Sequence, residues 1–120
     1  MPETPAPLTT AMFHVLLALS DGDKHGYAIL KEVVDQTNGE VQLSTGTLYG
    51  IIKRLLESGL IKEVRKPAIK NDDPRRRYYH LTALGRQAAR AEALRLERLA
   101  AMARDKRLIP PARVAKPASP

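Results

Sequence analysis

Thr45, Thr47, Tyr49, Lys53 and Arg54, with Ser44 ahead of them and Gly46 and Gly50 among them, gather hydroxyls, a phenol and two cations into one short stretch. None of these groups is a nucleophile beside a base. Together they are the donors that grip a polyanion without reacting with it. A second basic cluster, Lys70, Arg75, Arg76 and Arg77, follows, with Lys62, Arg65 and Lys66 before it and only Glu63, Asp72 and Asp73 to oppose it. That surplus would face any polyanion with positive charge. Catalysis finds no comparable grouping: His14, His25 and His80 are far apart, there is no cysteine, and no metal-ligand spacing or glycine-rich phosphate loop is present. The sequence predicts no enzyme, no metal site and no cofactor.

The elements that must position these residues follow from the apolar pattern. Leu48, Ile51, Ile52, Leu55 and Leu56 recur at helical spacing, Ser44 can cap the free N–H groups of the first turn, and Ser58 with Gly59 stops the helix. The hydroxyls and cations fall on the opposite face, where Gly50 leaves a gap for a sugar-phosphate backbone. A plainer alternative is a solvated face on an amphipathic helix. The hairpin that follows weighs against it. Residues 60–65 and 76–81 read as two short strands, and the segment between them is too long and too rich in turn formers for a tight connection, so it should project as a wing. The alternative for its cations is protection of a strand edge.

Upstream, Thr9 can cap a first helix running to Leu19, with Met12, Val15, Leu16 and Leu19 on one face. A second helix is predicted to open at His25, with Tyr27, Leu30 and Val34 inward and Ile29 beside them, and to close at Asn38 and Gly39. Glu40 to Leu43 would link it to the third helix, as a very short strand padding the hairpin sheet. Three helices and a hairpin make a mainly α head with a small β-hairpin, a winged helix-turn-helix, over residues 9–81.

Thr82 can cap a last helix that no proline interrupts before about Leu108, a rod of ~40 Å. Leu84, Ala88, Ala91, Leu99 and Met102 follow a spacing of three and four broken at Arg95, and Leu96 lies with Ala89, Ala93, Ala100 and Ala103 in a small-residue stripe alongside. A head of this size cannot cover that face, so residues 82–108 are predicted to dimerise the chain about a two-fold axis. The alternative is a solvated, arginine-rich single helix helped by pairs such as Glu92 with Arg95. Proline-containing ends, residues 1–8 and 109–120, are expected to be disordered.

Composition agrees with a polyanionic partner. The chain has 20 Lys plus Arg against 13 Asp plus Glu, a net charge of +7, and its first forty residues carry only Lys24 and Lys31 as cations, so the positive charge begins where the third helix begins. No apolar run approaches the ~18 residues of a membrane span, and the N-terminus lacks the pattern of a signal peptide. A cytoplasmic protein that does not enter membranes is expected.

The segments HGYAI at 25–29, STGTLYGIIKRLLESGLI at 44–61 and RRYYHLTALG at 76–85 resemble, in that order, the PadR family of bacterial transcriptional regulators, over roughly residues 9 to 105. The resemblance implies a dimeric winged-helix protein, usually a repressor on a palindromic operator in double-stranded DNA, released by a small-molecule effector. It implies that the helix after Ser44 enters the major groove, that the hairpin tip meets the adjacent minor groove or backbone, and that Tyr27 and Tyr49 help to pack or position the head. The single C-terminal helix is similar to that of the shorter subfamily. This chain has no tryptophan, and its sole phenylalanine is Phe13. A flat aromatic effector sandwiched between tryptophans is therefore not expected, and any effector would rest on aliphatic groups, Met102, Phe13 or tyrosines. A winged-helix protein-interaction module with only nonspecific nucleic-acid affinity is the alternative, and binding to specific against random DNA separates the two.

Overall fold

A computed structural model describes residues 8–65 and 76–112. The expected wing loop, with Lys66, Lys70 and Arg75, and most of both proline-containing ends lie outside the described residues. The order of elements is α1 (Thr10–Leu19), β1 (Lys24–His25), α2 (Gly26–Gln36), α3 (Thr45–Glu57), β2 (Ile61–Val64), β3 (Tyr78–Leu81) and α4 (Ala83–Asp105). The mainly helical class with a small antiparallel sheet and a long last helix is as the sequence predicts.

Each of the four helices begins at a side-chain cap. The hydroxyls of Thr9, Ser44 and Thr82 accept from the backbone N–H groups of Met12, Thr47 and Gly85, and His25 caps α2 through Nδ1, which accepts from the Ala28 N–H at 3.2 Å. Such caps are worth about 1 kcal/mol each. Packing does more. Val15, Leu16, Ala18 and Leu19 of α1, Ile29 and Val33 of α2, Leu48, Ile51, Ile52 and Leu55 of α3, and Ile61, Tyr79 and Leu81 of the sheet form one buried cluster. Burying each large side chain contributes about 1.5–3 kcal/mol, so α3, which carries two glycines, is held by its stripe rather than by its propensity.

The sheet has three strands in the order β1-β3-β2, all pairs antiparallel, with Ile61 opposite Leu81 and Val64 opposite Tyr78 on one side of β3, and Lys24 opposite Tyr79 on the other. The third strand is thus Lys24–His25. Residues 40–43, expected to pad the sheet, form no strand. The expected inward face of α2 also needs correction: Ile29 and Val33 are buried, Leu30 and Val34 are half-buried, and Tyr27 is 65% exposed. Tyr27 stands in the first turn of α2, directly after β1, and its ring faces outward. Leu56 is likewise at the edge of the α3 stripe, 36% exposed.

The start of α4 is locked to the sheet. Thr82 donates to the Gly59 carbonyl at 2.7 Å, its N–H donates to the Leu60 carbonyl at 3.1 Å, and a β-carbon at Gly85 would lie 1.9 Å from the Leu60 oxygen. Only glycine permits that approach. Farther along, Arg86 donates to the Ser20 carbonyl at the end of α1, and Ala89 packs on the core. The helix ends at Asp105, three residues before the expected Leu108, because Arg107 turns to φ 61° and the Leu108 N–H folds back to the Ala103 carbonyl. Its 23 residues span about 34 Å. Among the described residues no helix is long and apolar enough to cross a membrane.

Candidate nucleic-acid interface

The polar face of α3 stands clear of the core. Ser44, Thr45, Gly46, Thr47, Tyr49, Lys53 and Arg54 are all exposed, whereas Leu48, Ile51, Ile52 and Leu55 point inward. Ser44 Oγ accepts from the Thr47 N–H at 3.1 Å and donates to the Thr47 hydroxyl at 2.8 Å, so these two hydroxyls hold the first turn while remaining at the surface. At Gly46 and Gly50 an added β-carbon would meet nothing within 4 Å among the described residues. The fold of the described residues does not require glycine at either place.

Arg76 and Arg77, which lead into β3, are exposed. The Arg77 guanidinium reaches Glu63 on β2 at 3.6 Å, with both side chains largely in solvent, a pairing worth little in water. Of the residues predicted from sequence, Tyr49, Arg76 and Arg77 come together, at a cleft that also includes His25, Tyr27 and Tyr79. Thr45, Thr47, Lys53 and Arg54 share the exposed face of α3 and do not line the cleft. His25, Tyr27 and Tyr79 are the members that sequence reasoning missed as site residues. Their place depends on the pairing of His25 with Tyr78, 53 residues on, which a two-residue strand does not announce.

Within the cleft Tyr49 has two neighbours that fix it. Its hydroxyl lies where a side chain at Gly26 would begin, 2.7 Å from the position of an added β-carbon. It also lies near Tyr79, whose phenol burial pushes up from the ordinary tyrosine range, with smaller contributions from Tyr49 and Glu63 in the same direction and an opposing one from Arg77. The Tyr79 phenol thus stays a neutral hydrogen-bonding group near neutral pH. The His25 ring stands edge-on to Tyr78 with centroids 5.4 Å apart. On the same strand as Tyr79, His80 Nδ1 meets the Asp23 carboxylate at 2.7 Å, which joins β3 to the turn before β1.

The predicted dimerisation residues lie along α4. Leu84, Leu96, Leu99 and Met102 are between 40% and 56% exposed, Ala91 is exposed and Ala88 is half-buried. Leu94, not foreseen, is 45% exposed as well. Arg95, which interrupts the row, is drawn aside by Glu92 through hydrogen bonds of 2.9 and 2.6 Å.

The family model of the transcriptional regulator PadR-like family matches residues 15–91. The chain belongs to that family of transcriptional regulators. It is similar to an uncharacterized protein of Lysinibacillus sphaericus, 31% identical over 72 residues, covering 60% of this chain and 64% of that protein. It is also 36% identical over 89 residues to an uncharacterized 37.1 kDa protein in transposon TN4556 of Streptomyces fradiae, covering 74% of this chain. The chain spans under two thirds of the length of both, and only 24% of the second. Among solved structures it resembles a PadR family transcription regulator of Clostridium difficile R20291, with a TM-score of 0.68 and 24% identity, covering 81% of this chain and 97% of that one. That likeness is one of fold.

Proposed function

We propose that the protein is a dimeric, sequence-specific DNA-binding regulator acting in the cytoplasm, a repressor on a palindromic operator. Residues 9–81 form its DNA-binding head and residues 82–108 its dimerisation helix. In this reading α3 enters the major groove, where Thr45, Thr47, Tyr49, Lys53 and Arg54 meet base edges and phosphates. Arg76 and Arg77, with Lys70 and Arg75, contact the adjacent backbone or minor groove. Release by a small molecule belongs to the same reading, drawn from the family likeness alone.

The observation that carries the proposal is Gly50. Glycine inside a helix costs about 1 kcal/mol relative to alanine, and here none of the described residues fills the space that a side chain would occupy. A surface that must admit a DNA backbone closely explains the residue; a merely solvated surface does not. Gly50→Ala is therefore expected to raise the stability of the free protein by ~0.5–1 kcal/mol while weakening its binding to DNA. Thermal melting and fluorescence anisotropy on the same preparation check both halves. A more stable variant with unchanged affinity would place DNA elsewhere on the molecule.

A further inference from the structure

Between the exposed face of α3 and the strand that returns from the hairpin lies a cleft of ≈ 390 Å³, walled by His25 and Tyr27 at the start of α2, by Tyr49, and by Arg76, Arg77 and Tyr79. Three elements distant in sequence build it. Its shape depends on Gly26, since a β-carbon there would strike the Tyr49 hydroxyl, and its floor is the buried ring of Tyr79. Two guanidinium groups and three phenols line it, and among the described residues no carboxylate does; Glu63 touches Arg77 without being part of the wall. Such a set of cations and O–H donors matches an oxyanion that accepts several hydrogen bonds, as a phosphate group does. The planar arginine fork and the tyrosine hydroxyls suit phosphate oxygens.

We propose that this cleft seats a phosphate group, with Arg76 and Arg77 as its cations and the hydroxyls of Tyr27 and Tyr49 as donors. On DNA the occupant is a backbone phosphate beside the groove that α3 enters, so this inference rests on the DNA-binding reading above. Tyr49 then works between two partners: its hydroxyl end lies over Gly26, and from that place the hydroxyl donates to the phosphate. The seat thereby fixes how deeply α3 sits.

The full chain would be titrated by fluorescence anisotropy against duplexes taken from upstream of its gene, in each of which one phosphate is replaced by an uncharged methylphosphonate. Wild type is expected to lose about tenfold in affinity at one phosphate in each half-site. Arg77→Gln and Tyr49→Phe, weaker on the unmodified duplex, are expected to lose less than about threefold at that same phosphate, because the group that met it is gone. Arg98→Gln, which removes the same charge from α4 outside the cleft, keeps the full loss. Equal losses in all four proteins would overturn the seat while leaving DNA binding intact.

A second titration, with inorganic phosphate at constant ionic strength, reads tyrosine emission, which no tryptophan obscures. If no duplex binds, yet phosphate changes the emission of wild type and not of Arg77→Gln, the seat stands and the DNA-binding reading is what fails. If no duplex binds and phosphate changes nothing, both fall. A coupled loss on DNA without a response to free phosphate supports a seat that takes the group only as part of a backbone.

Discussion

At the residue scale, glycines 50 and 85 lack the same β-carbon for opposite reasons. Gly85 is fixed by its own fold: the Leu60 carbonyl oxygen occupies the space, and Leu81 closes it from another side. Gly85→Ala must move backbone against backbone, and is expected to destabilise the protein by roughly 3 kcal/mol, at the upper end of overpacking. Chemical denaturation checks this, and a loss below ~1 kcal/mol would mean that α4 can shift away from β2 freely. Gly50 has no such neighbour among the described residues. In the sequence the two residues look alike, each the glycine in a short motif, because what distinguishes them is a contact across the fold.

At the element scale, α3 was legible because its apolar residues keep helical period through thirteen positions and Ser44 marks its start. The phase of α2 was not. Its first turn carries Tyr27, whose ring scores as apolar in a pattern, yet that turn begins directly from β1 and holds the ring at the surface. The strand itself, Lys24–His25, offers no alternation to read. The same gap hid the cleft, since its wall at residues 25–27 meets Arg76 and Arg77 only once β1 is paired.

On α4 the Glu92–Arg95 pair is present as the sequence suggests, but Glu92 is 8% exposed rather than solvated. Its hydrogen bonds to Arg95 hold the Glu92 carboxyl below its ordinary range, outweighing the burial that pushes it up, and raise the Arg95 guanidinium in turn. The folded state then binds protons less readily than the unfolded chain, so the pair stabilises fully above the unfolded value of ~4.3 and fades as pH falls through the lower, folded value. Asp21, held down by Lys24, acts in the same direction. Melting temperature is expected to drop below about pH 4, and Glu92→Gln should flatten part of that drop while lowering stability at neutral pH. An unchanged acid limb in the variant would show that the pair contributes nothing.

At the scale of the whole molecule, the polar face of α3 and the apolar row of α4 are both left exposed among the described residues. Leu84, Leu96, Leu99 and Met102 expose more apolar surface along one helix than its own head covers. A second copy would bury them, and two-fold pairing would present two α3 helices to a palindromic site. Leu99→Arg is expected to yield monomers by light scattering and to weaken operator binding much more than binding to random DNA. An unchanged mass would contradict the assignment of this helix to dimerisation.

The most direct measurement is the affinity of the wild-type chain for the duplex upstream of its own gene, against a scrambled duplex of equal length, at ~150 mM salt where nonspecific phosphate contacts are weakened. A specific regulator is expected to prefer its own site by ~10³-fold or more. Equal affinity for the two duplexes would contradict sequence-specific recognition of that site by α3, and would turn attention to a protein partner for the exposed row on α4.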